Sequence, residues 1–205
     1  MKNERMISTA NRIEKRIVGW KRGRIFFPSE FAALATDENT RITLMRLKDE
    51  GKIVRVATGI YCYPVIDKEY GLGTILPSTL EIAQAVAKHD KIRINPSGPF
   101  ALNALGLSTQ VAANAVFITD GAPRTIKISE KRKIIFKHSS RAKDFAYKSR
   151  LMQLIVAAIK EIGDGKLTDS EKAILKKHLT EVPKSQYEHD IQLAPLWVRK
   201  MITTL

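Results

Sequence analysis

The residue types best able to do chemistry are few in this chain, and their spacing argues against catalysis. Four histidines, His89, His138, His178 and His189, stand in unrelated contexts. None has a second histidine or a carboxylate at the spacing that sets two metal ligands on one helix face, so no metal site is expected. The one cysteine, Cys62, lies between Tyr61 and Tyr63, where a small buried thiol is the ordinary role, and a single cysteine excludes an internal disulfide. Gly71-Leu72-Gly73 lacks the third glycine of a dinucleotide loop. Gly163-Asp164-Gly165-Lys166 lacks the first glycine and the Ser/Thr of a phosphate loop, and an interhelical turn accounts for it. Pro96-Ser97-Gly98 opens a helix, which offers backbone N–H groups to an anion or simply to a cap. With no carboxylate pair and no base beside a nucleophile, neither an enzyme nor a cofactor is expected.

What remains is positive charge. The 205 residues hold 35 Lys+Arg against 21 Asp+Glu, a net charge of +14, which points to anionic partners and first of all to nucleic acid. A chain with 44% hydrophobic and 27% charged residues also has the composition of a folded core. The charge is unevenly spread. Residues 1–63 carry 13 basic and 7 acidic residues, residues 64–143 carry 12 and 6, and residues 144–205 carry 10 and 8. Polyanion contacts are therefore expected in the first two thirds, and the last third reads as a solvated helical region. Met1 to Trp20 is charged throughout and unlike a signal peptide. The most apolar window, Leu151 to Ile159, falls far short of the roughly 20 residues of a membrane span. A soluble, cytoplasmic protein is expected.

Those cations must be held by local structure. Met6, Ala10, Ile13 and Ile17 form a helical stripe over residues 3–18, stopped at Gly19. Pro28 starts a short second helix with Phe31 and Leu34, and Asp37 and Glu38 open a third that runs to Glu50 and closes at Gly51. Lys52 to Val56 and Ile60 to Tyr63 read as two strands joined at Thr58-Gly59. Three helices and a two-stranded wing are the order of a winged helix-turn-helix, whose third helix enters the major groove. If Thr40, Leu44 and Leu47 face inward, Arg41, Ile42, Met45, Arg46 and Asp49 face out. Arg41 and Arg46, with Thr43 beside them, are then the expected groove contacts, and Lys52, Arg55 and Thr58 the phosphate contacts. The plainer alternatives are solvated surface charges and a winged helix used for dimerisation or as an adaptor.

Pro64, Gly71, Gly73 and Pro77 read as a connector. Beyond it a helix carries Leu80, Ile82, Ala83 and Val86, a strand spans Lys91 to Ile94, and a turn at Asn95 to Pro99 leads to a helix stopped at Gly106. Ala115 to Ile118, Thr125 to Ile128 and Lys133 to Phe136 read as an antiparallel meander. Around its last strands lie Lys127, Lys131, Arg132, Lys133, Lys137, Arg141 and Lys143. This cluster either extends a DNA footprint, meets an acidic protein partner, or consists of edge-strand lysines that discourage aggregation. Helices are expected again over Phe145 to Ile162, Asp169 to Leu179 and from Pro195 to Leu205. The fold class expected is α+β: a winged helix-turn-helix at 1–63, an α+β domain at 72–143 and a helical C-terminal extension at 144–205.

Arg46-Leu47-Lys48-Asp49-Glu50-Gly51-Lys52-Ile53 through Gly59-Ile60-Tyr61 resembles the end of the recognition helix and the wing of AbiEi-like antitoxins. Pro96-Ser97-Gly98 to Leu105-Gly106-Leu107-Ser108-Thr109-Gln110, followed by Phe117-Ile118-Thr119-Asp120-Gly121, is similar to the second domain of a branch of that family. The resemblance covers most of residues 1–145. It implies the antitoxin of a bacterial toxin-antitoxin or abortive-infection module. The winged helix would bind double-stranded DNA at the operon's own promoter, and the second, antitoxin-type domain would counteract a nucleotidyltransferase-like toxin. Ile42 and Met45 depart from the family pattern, which is polar there. The competing reading is a free-standing winged-helix regulator or adaptor whose α+β domain binds a ligand or another protein.

Overall fold

The computed structural model describes residues 8–109 and 114–205. Met6 and the start of the expected first helix, and Gln110, lie outside the described residues. The chain is a mixed α+β protein that divides into two compact units, Met1–Val86 and Ala87–Leu205.

In the first unit, helix α1 (Thr9–Val18) is capped by the Ser8 hydroxyl, which accepts the Asn11 N–H at 3.3 Å, and buries Ile13 and Ile17. Strand β1 (Ile25–Phe26) follows, and the expected second helix is only a 3₁₀ turn, Pro28–Phe31. Helix α2 (Asp37–Asp49) is capped by Thr36 and carries Asp37 and Glu38 at its positive end. Gly51 closes it at φ +70, the left-handed backbone that glycine adopts without strain. Strands β2 (Val54–Ala57) and β3 (Ile60–Cys62) form a hairpin, and the sheet order β1-β3-β2 makes β3 central. Ile13, Ile17, Phe26, Phe31, Leu44, Leu47, Ile53, Tyr61 and Tyr63 share one core, with Trp20, Leu34 and Ala35 packed on it.

The stretch read as a connector is itself a hairpin, β4 (Val65–Asp67) and β5 (Gly73–Ile75), because Asp67 organises its turn. Its carboxylate accepts the N–H groups of Glu69, Tyr70 and Leu72 at 2.9, 3.1 and 3.4 Å. The division between the units falls later, inside helix α3 (Thr79–Asp90).

The second unit is built on β6 (Ile94–Ser97), β7 (Asn114–Thr119), β8 (Arg124–Lys127) and β9 (Lys133–His138), with the short helix α4 (Pro99–Ala104) between the first two. The sheet order is β6-β7-β9-β8, and β7 and β9 are parallel, so the last three strands are not the expected meander. Composition explains the insertion. Ile134-Ile135-Phe136 suits a strand flanked on both edges, whereas Arg124, Thr125 and Lys127 suit the exposed edge that β8 occupies. Helices α5 (Arg150–Ile162), α6 (Asp169–Thr180), α7 (Lys184–Asp190) and α8 (Leu196–Thr203) follow. These are no solvated extension: Ala101 and Leu105 share a core with Met152, Ile155, Ile159, Leu175, Val198 and Ile202. Among the described residues no helix is long and apolar enough to cross a membrane.

Candidate nucleic-acid interface

Helix α2 is anchored through a wide stripe of Thr40, Thr43, Leu44 and Leu47, all buried. Thr43 is only 5% exposed and so leaves the expected contact set, because its position flanks Leu44 and Leu47 on the inward face. The opposite face presents Ile42 and Met45, 51% and 56% exposed, with Arg41 exposed on its flank. Leucine-sized apolar groups left in water on an outward helix face, beside a cation, suit a surface that will be covered.

The cations expected to act together divide into two kinds. Arg46 approaches Glu14 of α1 at 3.4 Å and Glu50 at 3.5 Å, and Lys52 is bonded to Glu14 and lies 2.9 Å from Glu50. Bonds to Glu14 and then Glu50 hold the Lys52 ammonium above its usual pKa, and the bond from Lys52 holds Glu50 below the usual carboxylate value. Arg46 and Lys52 therefore belong to an exposed four-residue network whose charges nearly cancel. Arg41 and Arg55 are exposed and have no ion pair among the described residues. Arg55 stands on β2 opposite Tyr61, next to an irregularity in the ladder, and Thr58 is exposed in the turn with Gly59 at φ +72. Sequence reasoning missed Arg22 and Arg24, which stack on Tyr63 at 4.6 Å and Trp20 at 4.1 Å. Arg24 is also paired with Glu30 at 2.6 Å, and the only sequence trace of the two was a pair of arginines lying between Trp20 and Phe26-Phe27.

In the second unit, Lys127 and Lys133 are direct cross-strand partners of β8 and β9. Like charges in register repel, and no carboxylate neutralises either lysine among the described residues. Lys131 and Arg132 are exposed in the connecting hairpin turn, and Lys137 is exposed further along β9. A separate cleft of about 340 Å³ in this unit is bordered by Arg141, Lys143, Lys160 and Arg199, with Asp144 and Tyr147. Burial pushes the Tyr147 hydroxyl up to about 12, aided by Asp144 and Asp190, so it stays a neutral donor there.

The anion site considered at Pro96-Ser97-Gly98 is excluded by a neighbour. A side chain on Gly98 would meet the Glu161 carboxylate at 3.1 Å, and α4 has only six residues. Cys62 is fully buried. Among the described residues no three His, Cys, Asp or Glu side chains gather as metal ligands.

Comparison with known families finds one match, over residues 12–187, to a model described as "Family of unknown function (DUF6088)". No curated protein matches the chain.

Proposed function

We propose that this chain, which belongs to the DUF6088 family, is a double-stranded DNA-binding antitoxin of the AbiEi-like kind. In this reading the first unit is a winged helix-turn-helix that binds the chain's own promoter, and the second counteracts a nucleotidyltransferase-like toxin. One observation carries it: α2 turns an outward face of Arg41, Ile42 and Met45 away from the core, directly before a hairpin that exposes Arg55 and Thr58. A groove-entering helix followed by a wing on the neighbouring backbone uses this succession. Arg41 supplies a bidentate donor for a guanine edge, Ile42 and Met45 supply apolar contact for thymine methyl groups, and Arg55 binds phosphate. The lysines of β8 and β9 offer a field for an acidic toxin surface.

The test is binding of the full chain to the duplex upstream of its own reading frame, against a scrambled duplex of equal length. Arg41→Ala should reduce the preference for the upstream duplex, at a cost of about 1–3 kcal/mol for one base contact. Arg55→Ala should weaken both duplexes alike. Equal affinity of the unaltered protein for both duplexes would defeat promoter recognition. Growth rescue by co-expression with the product of the neighbouring reading frame tests the antitoxin half.

The cleft bordered by Arg141, Lys143, Lys160 and Arg199 favours a second reading, a regulator whose second unit takes an anionic ligand. Its volume falls in the range of small-molecule sites.

A further inference from the structure

Two hollows of the second unit share a wall. The cleft of about 340 Å³ bordered by Arg141, Lys143, Lys160 and Arg199 adjoins one of about 240 Å³, and Asp144, Tyr147, Val156 and Lys160 line both. Their far ends differ in charge. At the first, cations from three segments line one cleft: Arg141 and Lys143 at the 3₁₀ turn Ala142–Phe145, Lys160 in the last turn of α5, and Arg199 on α8. Gln192 holds Arg199, accepting from Nη1 through its side-chain oxygen and from Nη2 through its backbone oxygen, both at 2.8 Å. A neutral partner fixes the guanidinium and leaves its charge uncompensated. Lys143 and Lys160 also have no ion pair among the described residues. Asp144 is already taken, accepting from Ser139 Oγ at 2.6 Å and Arg141 Nε at 3.2 Å.

The other end is built to hydrogen-bond rather than to attract an anion. Asn95 is only 8% exposed and Gln153 is half-buried, and their side-chain amides make no hydrogen bond among the described residues although both residues line the second hollow. A buried amide without a partner is costly, and each of these two can both donate and accept. The Tyr147 hydroxyl, kept protonated by burial, stands in the shared wall. Glu161 adds a carboxylate with no ion pair among the described residues, which repels an anion and accepts from hydroxyl or amino groups. The two ends therefore orient a single ligand, its anion toward Arg199 and its polar body toward Asn95. Charge selects the anion. A monocarboxylate brings one negative charge to Lys143, Lys160 and Arg199, whereas a phosphate monoester brings about 1.5 to 2, with three acceptor oxygens.

We propose that the adjoining clefts bind a phosphate monoester of a sugar or a nucleoside, its phosphate held by Lys143, Lys160 and Arg199 and its hydroxyl or amino groups by Asn95, Gln153 and Glu161. This rests on the second reading above, that the cleft takes an anionic ligand, and is independent of promoter binding. The test is calorimetric titration of the full chain with ribose 5-phosphate, adenosine monophosphate, inorganic phosphate and adenosine. At least one ester should bind about tenfold tighter than inorganic phosphate, since its body adds contacts, and adenosine should bind more weakly than either ester. A tighter adenosine monophosphate marks a nucleoside body, and equal or tighter ribose 5-phosphate marks a sugar. Lys160→Gln, an exposed change that should leave the circular dichroism spectrum unaltered, should weaken ester and inorganic phosphate alike by about tenfold. Gln153→Leu should weaken the ester and leave inorganic phosphate unchanged. Esters that bind no tighter than inorganic phosphate, or that lose nothing in Gln153→Leu, would overturn the ligand class and leave a simple anion site. Failure of all four probes, inorganic phosphate included, would overturn the anionic-ligand reading as well. If no ester binds and Lys160→Gln weakens binding to a random duplex, the cations of the cleft belong to a nucleic-acid footprint instead.

Discussion

The α2 region and the β8–β9 edge come from stretches of sequence with the same charge excess, six each, yet they dispose of it in opposite ways. Around α2, Glu14 and Glu50 hold Arg46 and Lys52 in a network, whereas Arg41 and Arg55 have no ion pair among the described residues. At the sheet edge, Lys127 faces Lys133 across the ladder with no carboxylate between them. Net charge therefore says how much positive field a segment could project, and side-chain pairing says how much it does. The α2 face is nearly neutral and partly apolar, a surface suited to selecting among partners. At the β8–β9 edge Arg124 is paired with Asp90, while Lys127 and Lys133 have no ion pair among the described residues, so that part of the edge projects a positive field suited to attracting an anionic partner.

The first unit breaks most sharply at Leu44, which is fully buried beneath the α2 face. Leu44→Ala should cost about 2–5 kcal/mol, read by thermal or denaturant unfolding, and should also abolish the duplex binding proposed above by unseating the helix. A change of less than about 1 kcal/mol would mean that the face does not depend on this core. At the sheet edge, Lys127, Lys131 and Lys133 changed together to alanine should lower the salt dependence of binding to a random duplex by up to about 2.7 in log–log slope, if all three meet phosphates. Loss of the Lys127–Lys133 repulsion should leave stability unchanged or slightly higher. An unaltered slope would assign this edge to a protein surface instead. The smallest effect is the most discriminating. Glu14→Gln should raise affinity for any duplex slightly by loosening Arg46 and Lys52, which keep their contacts to Glu50, and should change stability little, because the pairs it breaks are exposed. A fall in affinity would show that the network positions these cations rather than masking them.

Local order was legible in the chain where one periodicity decided it. The stripe of Thr40, Leu44 and Leu47 followed from helical spacing, and Gly51 and Gly59 marked the ends of the elements that carry Arg41, Arg55 and Thr58. Thr43 was misplaced because a threonine on the margin of a stripe is polar by type and inward by angle. The masking of Arg46 by Glu14 spans 32 residues, a separation at which no spacing rule operates. The parallel pairing of β7 with β9 was likewise a long-range choice, although the unbroken Ile134-Ile135-Phe136 run was its trace. Helix α7 escaped because Lys184 to Asp190 is mostly polar. Its Asp190, fully buried, accepts the N–H groups of Lys148 at 2.8 Å and Ser149 at 2.7 Å, a tie across some forty residues.

Cys62 is the only thiol in the chain and sits on the central strand of the first sheet, opposite Ile25 on one side and Val54 on the other. Burial, with a lesser push from Glu81, raises its thiol to about 11, so in the closed molecule it is both hidden and protonated. A thiol reagent at mildly alkaline pH can therefore mark only those molecules in which β3 has come away from its neighbours. The extent of alkylation with time is a clock on the breathing of the first unit, blind to whatever the second unit does. Each copy thus carries a one-atom memory of its own excursions, readable by mass after the protein has closed again.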